Sequence, residues 1–302
     1  LAEGFVISIQ GAFTKFGSKL ELTDAEQQDA SRRQQAIRTV MNKTFEIEED
    51  FLTGSYRRWT KTKPLKDVDI FCVLGQTERH YRAEAPTILL ADVEKALADE
   101  YGKDSISRQR RSIGVDFGVK EDDEGETDGK VMSFDVVPAF SKNGHYEIPD
   151  TATSSGWTET NPKIHYDKAL EAQDAYSGEW KRLVRMMKAW NRNQGKPIKP
   201  SFLIEVMALE ILHPPFGGDY RREVQGLFAS LADRIHEDWP DPARLGPDVS
   251  DSMTIQDRGA ARSVLLAAER KAAEAIRLEN LGKNGEALRV WRSLFGKLFP
   301  LS

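Results

Sequence analysis

Gly54-Ser55-Tyr56-Arg57-Arg58-Trp59-Thr60, a short basic turn, and then Asp67-Val68-Asp69-Ile70-Phe71-Cys72-Val73-Leu74 form the stretch on which the reading of this chain turns. Residues 68–74 are almost wholly apolar and include Val, Ile and Phe, which predicts a buried strand. Asp67 and Asp69 interrupt that pattern at its start. At the two-residue period of a strand both carboxylates face the same way, roughly 6–7 Å apart along the chain. Two charges so placed in a desolvated site need cations, and aspartates at this spacing are able to share a pair of magnesium ions.

The upstream Gly54-Ser55 suits the same chemistry. Glycine lets the backbone approach a ligand closely, and successive N–H groups in such a turn form an anion-binding concavity. The Ser55 hydroxyl adds a donor for a phosphate oxygen. A nucleoside triphosphate would then lie between the Gly-Ser turn and the metal-bearing strand. A third carboxylate, Asp135, sits in Phe134-Asp135-Val136-Val137-Pro138-Ala139. Left unpaired among such neighbours it would cost several kcal/mol, and a metal resolves that cost. A strand carrying it beside residues 67–74 would bring it to the same two ions. The purely structural alternatives are a turn with a solvated strand end for residues 54–69, and a turn-capping role for Asp135.

Gly-Ser, a spacer of 11 residues and Asp-x-Asp together resemble the signature of DNA polymerase β-type nucleotidyltransferases. The fuller string, Gly-Ser-Tyr-x-Arg-x-Thr with Pro-Leu-x-Asp-Val-Asp, most resembles the bacterial cGAS/DncV-like nucleotidyltransferases, which make cyclic di- and trinucleotide signals in phage defence. The resemblance implies that Asp67, Asp69 and Asp135 hold two Mg2+ ions, with Mn2+ as a substitute. It implies that Lys188, in Met187-Lys188-Ala189-Trp190-Asn191, meets the donor triphosphate. It further implies that Ser201 touches phosphate and that the Phe202 ring stacks on the base. The family has tyrosine at this last position, so its hydroxyl is absent here. The structural alternatives are a solvated helix lysine, a helix cap and a core aromatic.

The chain has 302 residues, enough for two domains. Hydrophobic residues make up 39% and charged residues 30%, a soluble globular balance, and no apolar run approaches a membrane span. The first residues lack the pattern of a signal peptide, and the single cysteine, Cys72, fits a reducing cytoplasm. Net charge is −5, which argues against a broad nucleic-acid-binding surface. Local basic runs at Arg32-Arg33 and Arg108–Arg111 leave room for weak, salt-sensitive binding.

Along the chain, Phe5, Ile9, Phe13 and Phe16 hint at an amphipathic segment. Thr23 and Glu26 have the form of a capping box opening a helix to about Glu49, which the resemblance makes a brace for both lobes. Pro86 suits the first turn of another helix, residues 113–119 alternate as a strand, and Glu121–Gly129 reads as an exposed acidic hairpin loop before the strand bearing Asp135. Beyond Pro149 the sequence turns helical, with segments predicted at 163–176, 179–194, 200–212, 219–238, 256–281 and 284–299.

These observations predict an α+β, polymerase β-like nucleotidyltransferase core over residues 1–160, a mixed sheet with helices. An α-helical domain over 161–302 follows, with the active site in the cleft between them. The expected reaction joins nucleoside triphosphates, ATP foremost, into a cyclic di- or trinucleotide second messenger for antiphage defence, releasing pyrophosphate. The expected partner is a HORMA-domain regulatory protein, and no membrane is involved. The rival readings are a linear oligoadenylate synthase or RNA-tailing enzyme, transfer of one nucleotide to a protein or drug, and a catalytically idle interaction module.

Overall fold

The computed structural model describes residues 7–122 and 127–302 and divides the chain into two units. One is Leu22–Tyr166; the other joins the stretch up to Glu21 to Asp167–Ser302. This differs from a single cut at 160, because the first helix packs with the C-terminal helices.

In the unit Leu22–Tyr166, Thr23 opens helix α2 (Asp24–Met41), following α1 (Ile9–Lys19) of the other unit. The Glu26 carboxylate accepts the Thr23 N–H at 2.7 Å and the Glu26 N–H donates to the Thr23 hydroxyl at 3.3 Å, which is the expected capping box. The helix ends at Met41, not near Glu49. Residues Ile47–Leu52 instead form strand β1, whose Phe51 stands opposite Phe71 with ring centroids 5.4 Å apart. Cross-strand packing overrides the local helical spacing.

A single helical turn, α3 (Gly54–Arg57), leads to β2 (Val68–Leu74), and α4 (Pro86–Tyr101) follows with proline in its first turn. Then come β3 (Ile106–Arg108), β4 (Ile113–Asp116), β5 (Ser133–Lys142), β6 (His145–Pro149) and β7 (Trp157–Thr160). The sheet order is β1-β2-β5-β4-β3, with β6 on β5 and β7 on β6. Among the described residues only β2 and β5 run parallel; the other pairings are antiparallel. The sheet is therefore mixed, as expected.

Helices α2 and α4 cover one face, burying Ile37, Met41, Leu89 and Val93 with Ile70, Cys72 and Val136. Phe71, Val73, Val137, Ala139 and Tyr146 form a smaller cluster of their own. Burial on both faces explains why β2 reads as a continuous apolar run rather than an alternation. The alternating segment at 113–119 is a strand only as far as Asp116. The acidic stretch after it lies partly outside the described residues.

The six C-terminal helices are α5 (Pro162–Ala175), α6 (Trp180–Asn193), α7 (Phe202–Ile211), α8 (Tyr220–Arg234), α9 (Ile255–Asn280) and α10 (Asn284–Phe295). The boundary between the units falls within α5. Helix α1 belongs with the later helices because its aromatic stripe needs theirs. The Phe13 ring meets Trp291 edge-on at 4.9 Å, and Phe16 lies 5.0 Å from Phe295. Phe5 lies outside the described residues. Among the described residues no helix is long and apolar enough to cross a membrane.

Candidate active site

Strands β2 and β5 run in a register that sets Asp69 directly beside Asp135. Neighbouring strands lie about 4.8 Å apart, so carboxylates distant in sequence spring from adjacent backbone positions. Asp67 does not continue the strand as the two-residue period predicts. It precedes β2 with φ 51°, a left-handed conformation that aspartate tolerates and a pleat does not. Ser133, at the start of β5, holds it there: its hydroxyl oxygen accepts the Asp67 N–H at 2.8 Å and donates to Asp67 Oδ1 at 3.0 Å.

Gly54 and Ser55 open the helical turn α3 beside these strands. Thr53 N–H donates to the Asp69 carbonyl at 2.9 Å, which fixes the turn against β2. Gly54 has φ 61°, and a β-carbon added to it would fall 1.8 Å from Asp69 Oδ2. Glycine is therefore needed here by the carboxylate itself. The Ser55 carbonyl accepts the N–H groups of Thr60 and Lys61, each at 3.0 Å. Among the described residues its hydroxyl makes no hydrogen bond.

Three further residues, Gln109, Gly114 and Lys61, border these groups and lie outside the motif. Besides Ser133, Gln109 Nε2 donates to Asp135 Oδ1 at 2.6 Å. Gly114, the β4 partner of Asp135, leaves the space for it, since a β-carbon there would lie 3.0 Å from Gln109 Nε2 and 2.5 Å from Ser107 Oγ. Lys61, half-buried in the spacer between the Gly-Ser turn and Asp67, donates from Nζ to the Asp67 carbonyl at 3.0 Å. A basic spacer was the only sequence signal for Lys61. Gln109 had none beyond its place in an arginine run.

The charges are under-compensated. Burial pushes the Asp69 carboxyl above its usual range, against the pull of Lys61 and Arg58. Asp135 is pushed up to about 7, first by burial and then by the negative charges of Asp69 and Asp67. Burial holds Lys61 below the usual lysine range, although all three aspartates oppose that shift.

Among the described residues no three His, Cys, Asp or Glu side chains are gathered closely enough to hold an ion as they stand. Asp67 is engaged by Ser133 and Asp135 by Gln109. The donor set nevertheless fits a hard divalent cation: it offers only carboxylate oxygens, and their mutual repulsion is the kind a cation relieves.

The other predicted residues lie in the other unit. Lys188 is no solvated lysine: Nζ donates to Glu205 Oε1 at 2.6 Å, with both side chains buried. Ser201 is exposed at the start of α7 and makes no side-chain cap. Phe202 is half-buried against the helical core. The arginine run is largely committed to internal pairs. Arg110 and Arg111 both hold the buried Asp150, and Arg108 pairs with Glu94. Arg32 and Arg33 share Asp29.

A mixed sheet bearing two aspartates in register, a third at the strand entrance and a Gly-Ser turn against them defines a polymerase β-like nucleotidyltransferase. The model of the Second Messenger Oligonucleotide or Dinucleotide Synthetase domain matches residues 7–172, more than half of the chain. The chain belongs to that family and is a nucleotidyltransferase, which bears out the resemblance read from its motifs. It is 29% identical over 288 residues to a "Probable cyclic nucleotide synthase" of Bacillus cereus (strain VD146), covering 82% of this chain and 81% of the relative. It is 26% identical over 322 residues to the "Cyclic AMP-AMP-AMP synthase" of an Acinetobacter species, covering 98% and 87%. In backbone it resembles Escherichia coli MS115-1 CdnC, solved in a CdnC:HORMA complex. The TM-score is 0.70 at 18% identity, over 96% of this chain and 97% of that one.

Proposed function

We propose that this chain joins nucleoside triphosphates, ATP foremost, into a cyclic di- or trinucleotide with release of pyrophosphate. The observation that carries the reading is the register of Asp69 against Asp135 beside the Gly54-Ser55 turn. Two Mg2+ ions, or Mn2+ in their place, would be held by Asp67, Asp69 and Asp135. When bound there they would lower the pKa of the attacking ribose hydroxyl and offset charge on the leaving group.

The rest is positioning, which in such transfers supplies most of the rate. Gly54 leaves Asp69 its place, Gln109 orients Asp135 and Ser133 holds Asp67. The Ser55 hydroxyl is available to a phosphate oxygen. Lys188 and Ser201 are assigned to the triphosphate and Phe202 to a base, as the family resemblance implies. The relative named for cyclic AMP-AMP-AMP favours adenine and a cycle of three nucleotides.

A cyclic product of this kind is a signal, and we assign it to antiphage defence in the cytoplasm. A HORMA-domain protein is the proposed regulator, supported by the solved CdnC:HORMA complex. Nucleic acid is the weaker candidate because the arginines that would grip it are committed to Asp150, Glu94 and Asp29.

Mass spectrometry of products from all four triphosphates, with magnesium and then manganese, tests the reading. A small product resistant to phosphatase is expected. A phosphatase-sensitive ladder would replace cyclisation with linear synthesis, and no product under any condition, with or without a HORMA protein, would leave an idle module.

A further inference from the structure

Lys61 bridges the two halves of the site. Its N–H donates to the Ser55 carbonyl at 3.0 Å, on the Gly-Ser turn, while its Nζ donates to the Asp67 carbonyl at 3.0 Å, at the entrance to β2. Tied at both ends, its side chain is confined beside the aspartates instead of ranging through solvent. An ammonium has three N–H donors. Among the described residues only that one hydrogen bond uses them, so two remain for something else.

The neighbours make the placement consequential. Asp67, Asp69 and Asp135 all act electrostatically on Lys61, with Asp69 the strongest of the three. No ion pair ties Lys61 to any of them. With its Nζ at the Asp67 carbonyl, Lys61 brings an amine beside the aspartates without pairing with any one carboxylate. Arg58 also acts on Asp69, but it is buried and less strongly felt there than Lys61.

We propose that Lys61 couples metal binding to nucleotide binding. In the nucleotide-free protein its charge repels an incoming divalent cation and so weakens metal binding at the aspartates. When a triphosphate arrives, the two open donors of Lys61 turn to phosphate oxygens, and its charge then favours the loaded site. Metal and triphosphate enter together instead of in succession. By linkage, the factor by which nucleotide tightens metal equals the factor by which metal tightens nucleotide. The inference rests on the assignment of Asp67, Asp69 and Asp135 as the metal site.

The experiment measures Mn2+ affinity of the whole protein by calorimetry or electron paramagnetic resonance. It is done without nucleotide and with a non-hydrolysable ATP analogue, for the parent, Lys61→Met and Lys61→Arg. With the repelling charge removed, Lys61→Met is expected to bind Mn2+ about tenfold more tightly without nucleotide, and to gain less from the analogue than the parent does. Lys61→Arg, which keeps the charge, is expected to stay near the parent. Metal affinity in Lys61→Met equal to or weaker than the parent's would overturn the inference, because a lysine that only props the loop gives no tighter binding. If Lys61→Met does not fold, Lys61→Gln stands in for it under the same criteria. Failure of the metal assignment shows differently: parent and Asp69→Asn would then bind Mn2+ equally poorly with and without the analogue, and the inference would fall with it.

Discussion

The Asp69 carboxylate occupies the space where a side chain on Gly54 would stand, with Oδ2 only 1.8 Å from the position of an added β-carbon. Gly54→Ala therefore faces two penalties. Its φ of 61° costs a residue with a β-carbon about 1–2 kcal/mol, and the carboxylate must also move. The expected result is a folded protein with a modestly lower melting temperature and almost no product. Activity close to the parent's would show that Asp69 need not stay where it stands.

Asp135 gives a pH test in metal-free protein. Its carboxyl is raised from an ordinary 3.8 to about 7, so the folded state favours the protonated form. Its contribution is most favourable to folding below the unfolded value and is lost as pH rises from 3.8 through about 7. Asp135→Asn removes the effect. Melting temperatures in chelator should show the variant gaining on the parent between those pH values, while its catalysis is abolished. A constant difference across that window would mean that Asp135 is not strained by its neighbours.

Gln109→Ala removes the hydrogen bond that orients Asp135. Partners one step removed from a metal ligand commonly contribute 10–100-fold, so a loss of roughly that size is expected in metal affinity or kcat. The KM for ATP should change little. A loss confined to KM would place Gln109 on the nucleotide instead.

Lys188 and Glu205 form a buried ion pair, and removing one partner takes the counter-charge away from the other. Lys188→Met is expected to cost about 3–5 kcal/mol in urea unfolding, and the double variant Lys188→Met/Glu205→Met to recover much of it. The kinetics of the double variant decide the functional role. If Lys188 meets the triphosphate in ground and transition states alike, KM rises while kcat holds. An unchanged KM would make the pair structural.

Much of the fold was written in local signals. The Thr23/Glu26 box, the apolar run of β2, the proline opening α4 and the helical periods after Pro162 each act over a few residues, and the chain's own chemistry settles them. The Gly-Ser and Asp-x-Asp spacing was legible for the same reason. Strand β1 was not, because Ile47–Leu52 becomes a strand only by pairing with β2. The sequence put Asp135 on a strand beside that of Asp69, 66 residues away, but not the register that sets the two opposite each other, which is decided by how β4 and β5 add to the sheet. Local period put Asp67 on the strand, whereas Ser133, equally distant, holds it in a left-handed turn. Lys61 and Gln109 carried no motif. What they do depends on which carboxylates approach them, and that is decided by tertiary pairing and by the low-dielectric surroundings it creates.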